Sequence, residues 1–160
     1  KAAICEQVED AKSAKGLVRR EVIRILTPGT VVEDHLLEES ASNYLVSVTR
    51  ADGGYGLAAA ECSTGELMVT EFAGDDAWGE LLDEVGRLQP VELLIAEEAE
   101  HRAELARLVS EQGGTTTTWG GETFLTHAPR DLLLAHFGVT SLRGFGCEAM
   151  PAAIEAAAAI

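Results

Sequence analysis

Hydrophobic and polar residues alternate with a period of two in three consecutive segments between residues 44 and 72. The segments are Tyr44–Val48, Tyr55–Ala60 and Glu66–Phe72. Asp52-Gly53-Gly54 and Ser63-Thr-Gly65 separate them, and both sequences are typical of tight turns. The pattern predicts a three-stranded antiparallel meander against which the rest of the chain packs.

Helical and extended patterns alternate after the meander. An amphipathic helix over residues 75–88 precedes the apolar segment Val91–Ala96, and a second helix over 97–112 precedes the β-branched segment Thr115–Trp119. The order βββαβαβ predicts an α/β fold with a mixed five-stranded sheet flanked by helices.

The first 27 residues form a separate, partial α/β segment. A short strand at Ala2–Cys5 is followed by a helical pattern that closes at Gly16, and then by strand-like alternation over Arg20–Thr27. Thr27-Pro28-Gly29-Thr30 interrupts the strand, and an acidic, partly helical connector follows.

The last part of the chain combines helices with glycines. A helix is predicted within Thr123–Phe137, and an alanine-rich helix is predicted from Met150 to Ile160. The final helix is expected to fray or to pack opportunistically. The candidate hinge residues are Pro28, Gly29, Gly138, Gly144 and Gly146.

Charge and composition narrow the range of functions. The 160 residues are 46% hydrophobic, enough for one full domain with flanking pieces. The net charge of −15 disfavours nonspecific binding to nucleic acid or membranes, so a protein partner is expected. Three lysines and nine arginines against 27 acids give an acidic surface of the kind found in halophilic proteins.

The cysteines and the length of the apolar segments indicate the cellular compartment of the protein. Cys5, Cys62 and Cys147 are odd in number and form no CxxC pair, so reduced and mostly buried thiols are expected. No run approaches the ~18 apolar residues of a membrane span, and no leader is evident, which predicts a soluble cytoplasmic protein. The start at Lys1 without an initiator Met suggests an excised piece.

Five of the twelve cations cluster near the N-terminus, and they are candidates for contact with a DNA backbone. They are Lys12, Lys15, Arg19, Arg20 and Arg24. The alternative is that they form ordinary surface ion pairs with nearby acids, each contributing at most ~1 kcal/mol. These acids are Glu6, Glu9, Asp10 and Glu21.

Six short blocks occur in an order and spacing that resemble one protein family. They are Ala3-Ile-Cys-Glu-Gln-Val-Glu-Asp10, Lys15-Gly-Leu-Val-Arg-Arg-Glu-Val22, Leu26-Thr-Pro-Gly-Thr30, Asn43-Tyr-Leu45, Ser63-Thr-Gly-Glu66 and His136-Phe-Gly-Val139. Together they closely resemble the bacterial-type MutS family of DNA mismatch-repair proteins, across essentially the whole chain.

The resemblance implies a division into domains. Residues 1–27 would end a mismatch-binding domain, 28–42 would be a linker, 43–140 would be a connector domain with an RNase H-like fold, and 141–160 would begin the lever and core helices. It also implies a noncatalytic module that transmits conformational change between DNA-binding and ATPase domains and helps to dock MutL.

Other activities of such a family would lie outside this chain. No phenylalanine is followed two residues later by glutamate, and no Gly-Lys pair exists, so the mismatch-reading Phe-x-Glu and the phosphate-binding GxxxxGK[ST] are both missing. Mismatched duplex DNA, ATP with Mg²⁺, and the homodimer contact are therefore assigned to the full-length protein, with no cofactor expected here. Arg130 and Asp131 are the candidate residues for docking the partner.

The RNase H-like order also raises a divergent metal-dependent nuclease as an alternative. Such chemistry needs carboxylates around two cations roughly 4 Å apart. The first meander strand contains no acid, although Glu61, Glu66 and Glu71 lie near the later strands. The four histidines show no metal-ligand spacing. They are His35, His101, His127 and His136. The residues therefore favour a protein without catalytic activity.

Overall fold

The computed structural model describes residues 1–9, 16–33, 41–51, 53–120 and 128–160. Two strands near the N-terminus, β1 (Ala2–Gln7) and β2 (Arg20–Leu26), form an antiparallel ribbon with a register shift between Ile4 and Cys5. Every residue of β1 is exposed. The helical pattern predicted over residues 8–16 lies largely outside the described residues, and Val8 N–H donates to the Arg19 carbonyl oxygen at 3.1 Å.

A five-stranded mixed sheet forms the centre of the molecule. Its strands are β3 (Leu45–Ala51), β4 (Gly54–Glu61), β5 (Glu66–Phe72), β6 (Glu92–Ala96) and β7 (Thr115–Trp119). They lie in the order β5-β4-β3-β6-β7. The pairs β3–β4 and β4–β5 are antiparallel, while β3–β6 and β6–β7 are parallel. The predicted meander and the order βββαβαβ are confirmed.

Helices cover both faces of this sheet. They are α1 (Ala77–Leu88), α2 (Arg102–Glu111), α3 (Pro129–Phe137) and α4 (Pro151–Ala158). The crossover helices α1 and α2 lie on one face, whereas α4 lies on the other with α3 packed beside it. No helix among the described residues is long and apolar enough to span a membrane.

The face under α1 and α2 carries the larger hydrophobic core. Because side chains alternate along a strand, Val46, Val48, Leu57 and Ala59 all point to this face. The buried residues of this core are Val46, Val48, Leu57, Ala59, Leu81, Val85, Leu88, Leu93, Ile95, Leu105 and Val109. The apolar stripe of α1 therefore covers the sheet, as its periodicity predicts.

The opposite face is built from small residues that let α4 approach the sheet closely. Gly56 on β4 lies directly beneath the helix, where an added Cβ would stand 2.0 Å from the Ala152 carbonyl oxygen. On α4 itself, Ala152, Ala153 and Ala156 are completely buried. Only glycine fits at position 56 because no other residue lacks the Cβ atom.

Polar side chains fix the N-terminal turn of α4 on the sheet. The Glu71 Oε2 atom on β5 accepts hydrogen bonds from the N–H groups of Ala152 at 2.8 Å and Ala153 at 3.3 Å. The Thr49 hydroxyl on β3 donates to the Ala152 carbonyl oxygen at 2.7 Å. A carboxylate at a helix N-terminus satisfies free N–H groups and interacts favourably with the helix dipole.

Two expectations from the sequence are wrong. The last helix does not fray or pack opportunistically, because it is buried on the sheet. The sequence predicts that a new domain begins at residue 141, but α4 packs on the five-stranded sheet. The domain limits stay predictions. The cysteines are not mostly buried either, since Cys5 on the ribbon and Cys62 in the β4–β5 turn are exposed and Cys147 alone is buried.

The segment that joins the ribbon to the sheet is held by a buried glutamate. Pro28–Thr30 forms a 3-10 helix, and the Gly29 N–H donates to Glu92 Oε2 at 3.1 Å. The other oxygen, Glu92 Oε1, accepts from the Thr117 hydroxyl at 2.7 Å, and the side chain is 1% exposed. A Cβ on Gly29 would lie 2.8 Å from the Leu45 Cβ, so this contact also requires glycine.

We expect Gly56→Ala to lower the free energy of unfolding by about 3 kcal/mol or more, since the new methyl group overlaps the backbone of α4. Urea denaturation followed by circular dichroism measures the change. Gly120→Ala is the control, because a Cβ at Gly120 meets nothing within 4 Å. Equal stability of the two variants would contradict the close contact between α4 and the sheet.

Glu92→Ala should cost about 2 kcal/mol in unfolding free energy, because it leaves the Gly29 N–H and the Thr117 hydroxyl without their acceptor. Thermal and urea unfolding provide the measurement. The matched control is Glu97→Ala, one residue beyond β6, where the side chain is exposed. A loss no larger than that of the control would show that Glu92 does not anchor the 28–30 segment.

Candidate functional site

A cleft lies at the carboxyl ends of the three parallel strands. β3, β6 and β7 run in the same direction, so their last residues, Ala51, Ala96 and Trp119, reach the same edge of the sheet. In open α/β sheets this edge is the usual location of a ligand site. The cavity volume is about 390 Å³, and the lining comes from β3, β4, β6, β7 and from α1 to α4 with the turns beside them.

One wall of the cleft is aromatic. Tyr55 on β4, Trp78 in the first turn of α1, and His101 at the N-cap of α2 form a cluster. The ring centroids of Trp78 and His101 are 4.2 Å apart in a stacked arrangement, and those of Tyr55 and Trp78 are 5.2 Å apart. The Arg50 guanidinium carbon lies 5.6 Å from the Tyr55 ring centroid, within range of a cation–π contact.

Among the described residues that line the cleft, glutamates outnumber arginines. Glu98, Glu100 and Glu155 line it together with Arg50, which forms an ion pair with Glu100. The carboxyl group of Glu155, on α4, forms no hydrogen bond or ion pair with any described residue. Burial raises the pKa of Glu155 because the charged form loses hydration.

The chemistry of the lining suits binding of a cation that carries an apolar part. Val48, Ile95 and Leu105 provide an apolar floor, while the aromatic wall and the carboxyl groups attract positive charge. Within the described parts of the chain, no three His, Cys, Asp or Glu side chains are grouped so that they could hold a metal ion.

The three meander acids have separate structural positions. Glu61 Oε1 accepts from the Asn43 N–H at 3.0 Å, and Glu66 faces Glu61 across the β4–β5 pair. Glu71 lies near the other end of β5, where it binds the N-terminal turn of α4. Of the four histidines, His101 belongs to the aromatic wall and His136 contacts Phe137, while His35 and His127 lie outside the described residues.

The candidate docking pair lies in the first turn of α3. Asp131 is exposed, whereas Arg130 is bound to Glu148, with distances of 2.6 Å from Nη2 and 3.1 Å from Nε to Oε1. The Arg130 hydrogen bond holds the pKa of Glu148 below its usual value, and bonds from the Leu142 N–H and the Ser141 hydroxyl add to this effect. The ion pair between Arg130 and Glu148 connects α3 to the turn before α4.

The candidate DNA-contacting cations are divided between ion pairs and open surface. Arg19 forms an ion pair with Glu21. Arg24 donates to Glu33 at 3.0 Å and to the Thr30 carbonyl oxygen at 3.1 Å. Arg20 is exposed on β2, and Lys12 and Lys15 lie outside the described residues. Contact with DNA remains a prediction.

The candidate hinges occupy two different settings. Pro28 and Gly29 are held against the sheet through Glu92. Gly138 ends α3 in the left-handed backbone region, and Gly144 and Gly146 belong to the 3-10 helix Arg143–Phe145 and its end. Movement at these residues stays a prediction, and the hydrogen bond from Gly29 to Glu92 opposes it at the first of the two settings.

Two family models match the chain. The model of MutS domain II matches residues 43–160, and the model of MutS domain I matches residues 1–35. The first of these covers the five-stranded sheet and helices α1 to α4, and the second covers the ribbon and the Pro28–Thr30 segment.

Curated relatives show the same family. The DNA mismatch repair protein MutS of Symbiobacterium thermophilum is 40% identical over 159 residues, which are 99% of this chain and 18% of that protein. The MutS of Halothermothrix orenii is 42% identical over 163 residues, a match that covers 100% of this chain and 18% of that protein. The MutS of Pelotomaculum thermopropionicum is 56% identical over 93 residues, which are 58% of this chain and 11% of that protein.

This chain thus spans about a fifth of the length of the first two relatives. The resemblance carried by the six sequence blocks is confirmed, because the domain II model alone covers most of the chain and the similarity to the relatives runs from end to end. The chain belongs to the MutS family of DNA mismatch-repair proteins.

Proposed function

We propose that this chain acts as a noncatalytic connector module of a MutS-type protein. It transmits conformational change between DNA-binding and ATPase domains and helps to dock MutL. Mismatched DNA, ATP with Mg²⁺, and the homodimer contact belong to other parts of the full-length protein. The matches to MutS domains I and II support this division, as does the absence of GxxxxGK[ST] from the sequence.

The observation that carries the proposal is the anchoring of the Pro28–Thr30 segment by Glu92. β6 lies between β3 and β7, so Glu92 holds this segment to the interior of the sheet. Asn43 adds a second link, since its Nδ2 donates to the Pro28 carbonyl oxygen at 3.0 Å. When the ribbon is displaced, the closely packed sheet therefore moves with it, because the segment between them is not flexible.

The transmitting role predicts a fixed distance between the ribbon and the sheet. Spin labels on the exposed Cys5 and Cys62, in full-length protein whose other exposed thiols are replaced, should give one narrow distance distribution with and without ATP. Glu92→Gln should widen this distance distribution. Both carboxylate oxygens of Glu92 accept hydrogen bonds, whereas a glutamine amide has one accepting oxygen and an NH2 group that only donates. Pulsed electron paramagnetic resonance makes the measurement.

Glu97→Gln is the matched control and should leave the distribution narrow. A broad distribution in the unsubstituted protein would mean that the ribbon moves independently of the sheet. Transmission through Glu92 would then be wrong.

The docking role predicts saturable binding of MutL from the same organism, measured by calorimetry at moderate and at high salt. Arg130→Ala and Asp131→Ala should each weaken binding about tenfold if these side chains contact the partner. The two salt concentrations separate contact within a desolvated interface from long-range attraction, which salt screens.

Arg130 needs a control that separates contact with the partner from its internal ion pair. Glu148→Gln removes the charged partner of Arg130 but keeps the guanidinium group. Normal MutL binding by this variant, with weakened binding by Arg130→Ala, assigns the effect to direct contact. Equal losses in both variants would instead assign it to the position of α3, and absence of binding at either salt would remove the docking role from this chain.

A further inference from the structure

We propose that the cleft at the carboxyl ends of β3, β6 and β7 is the part of this docking module that receives an arginine side chain from the protein partner. The guanidinium group would lie against the aromatic wall and bind the carboxyl group of Glu155. This inference rests on the proposed docking function, and it names the site and the chemistry of the bound group.

The size and form of the cleft fit insertion of a side chain. Its volume of about 390 Å³ is at the lower end of the roughly 300 to 1,000 Å³ typical of ligand sites. Tyr55 and Trp78 on one side are half-buried, so part of each ring is accessible. Ala158 and Ala159 at the end of α4 form the other side, and they leave space because they are small.

The charges in the cleft select a cation. Among the described residues that line the cleft, Arg50 is the one arginine or lysine, and it is already paired with Glu100. The carboxyl groups of Glu98 and Glu155 form no ion pair or hydrogen bond with any described residue, so they are available to a ligand. The net charge of −15 for the chain strengthens the preference for a cation and opposes an anion such as phosphate.

The aromatic wall selects arginine rather than lysine. A guanidinium group is planar and weakly hydrated, so it stacks on aromatic rings while its N–H groups still reach a carboxylate in the plane. A lysine ammonium would satisfy the carboxylate but would not stack. Arg50 already lies over the Tyr55 ring, so the aromatic surface for the incoming guanidinium group is the Trp78–His101 stack beside it.

The surroundings of the cleft favour a protein as the source of this side chain. Pro129 and Leu132 line the cleft and flank the candidate docking pair on α3 in sequence. The same helix ends at Phe137, whose ring centroid is 5.1 Å from that of Phe145, and both rings are exposed. The acidic cleft at the start of α3 and the exposed phenylalanines at its end fit a partner segment that lies along this helix and carries a basic anchor.

Intrinsic fluorescence provides a direct measurement, because both tryptophans of the chain, Trp78 and Trp119, line the cleft. The probe is N-acetyl-arginine amide, and its neutral isostere N-acetyl-citrulline amide is the control ligand. We expect saturable quenching by the arginine compound alone. Glu155→Gln should weaken this binding about tenfold, because it removes one member of a desolvated charge pair.

Two controls separate binding from folding. Glu155→Gln should melt no lower than the unsubstituted chain, since it removes a carboxyl group whose ionisation is opposed by burial. Glu66→Gln, an exposed position at the start of β5 outside the cleft, should leave binding of the arginine compound unchanged.

The decisive step is competition between the arginine compound and MutL. Displacement of MutL by the arginine compound, and weaker MutL binding by Glu155→Gln, support the inference. If neither the arginine compound nor Glu155→Gln alters MutL binding, the docking function stands and the inference about the cleft is overturned. Binding of the arginine compound without any MutL binding would overturn both the docking function and the assignment to a partner, and would identify a site for free organic cations. No response to the arginine compound would overturn the cation site itself.

Discussion

The close contact between α4 and the sheet at Gly56 is the constraint on which the second layer of the molecule depends. The helix backbone occupies the space where every other residue would carry a Cβ atom. Glu71 and Thr49 then bind the same turn of the helix, so packing and hydrogen bonding position α4 together. One side of the cleft is formed by α4, and the shape of the cleft therefore depends on a glycine that does not line it.

The sequence predicts the sheet well because its signals are local. The period-two alternation of the meander and the stripe of α1 depend only on neighbouring residues, and both are found in the structure. The position of α4 was not predictable in the same way. Its alanines show no stripe that distinguishes one face from another, and its contact with Gly56 joins distant parts of the chain.

The cleft could not be derived from sequence for a related reason. Tyr55, Trp78, His101 and Glu155 belong to four different elements, and no spacing relates them in the chain. The available signal was weak: Trp78 lies near the start of a predicted helix, and Trp119 ends a predicted strand. Glu92 was similarly hidden, because an acid within an apolar strand gives no indication of the backbone group that it binds.

The hydrogen bond between Thr49 and Ala152 also has a kinetic consequence, since it closes a separation of 103 residues along the chain. Contacts between distant residues are slow to form because the loop between them loses entropy before the contact stabilises it. The meander can assemble from local hairpins, but its α4 face stays uncovered until almost the whole chain is available. During synthesis, the cleft is consequently among the last features of this unit to be completed.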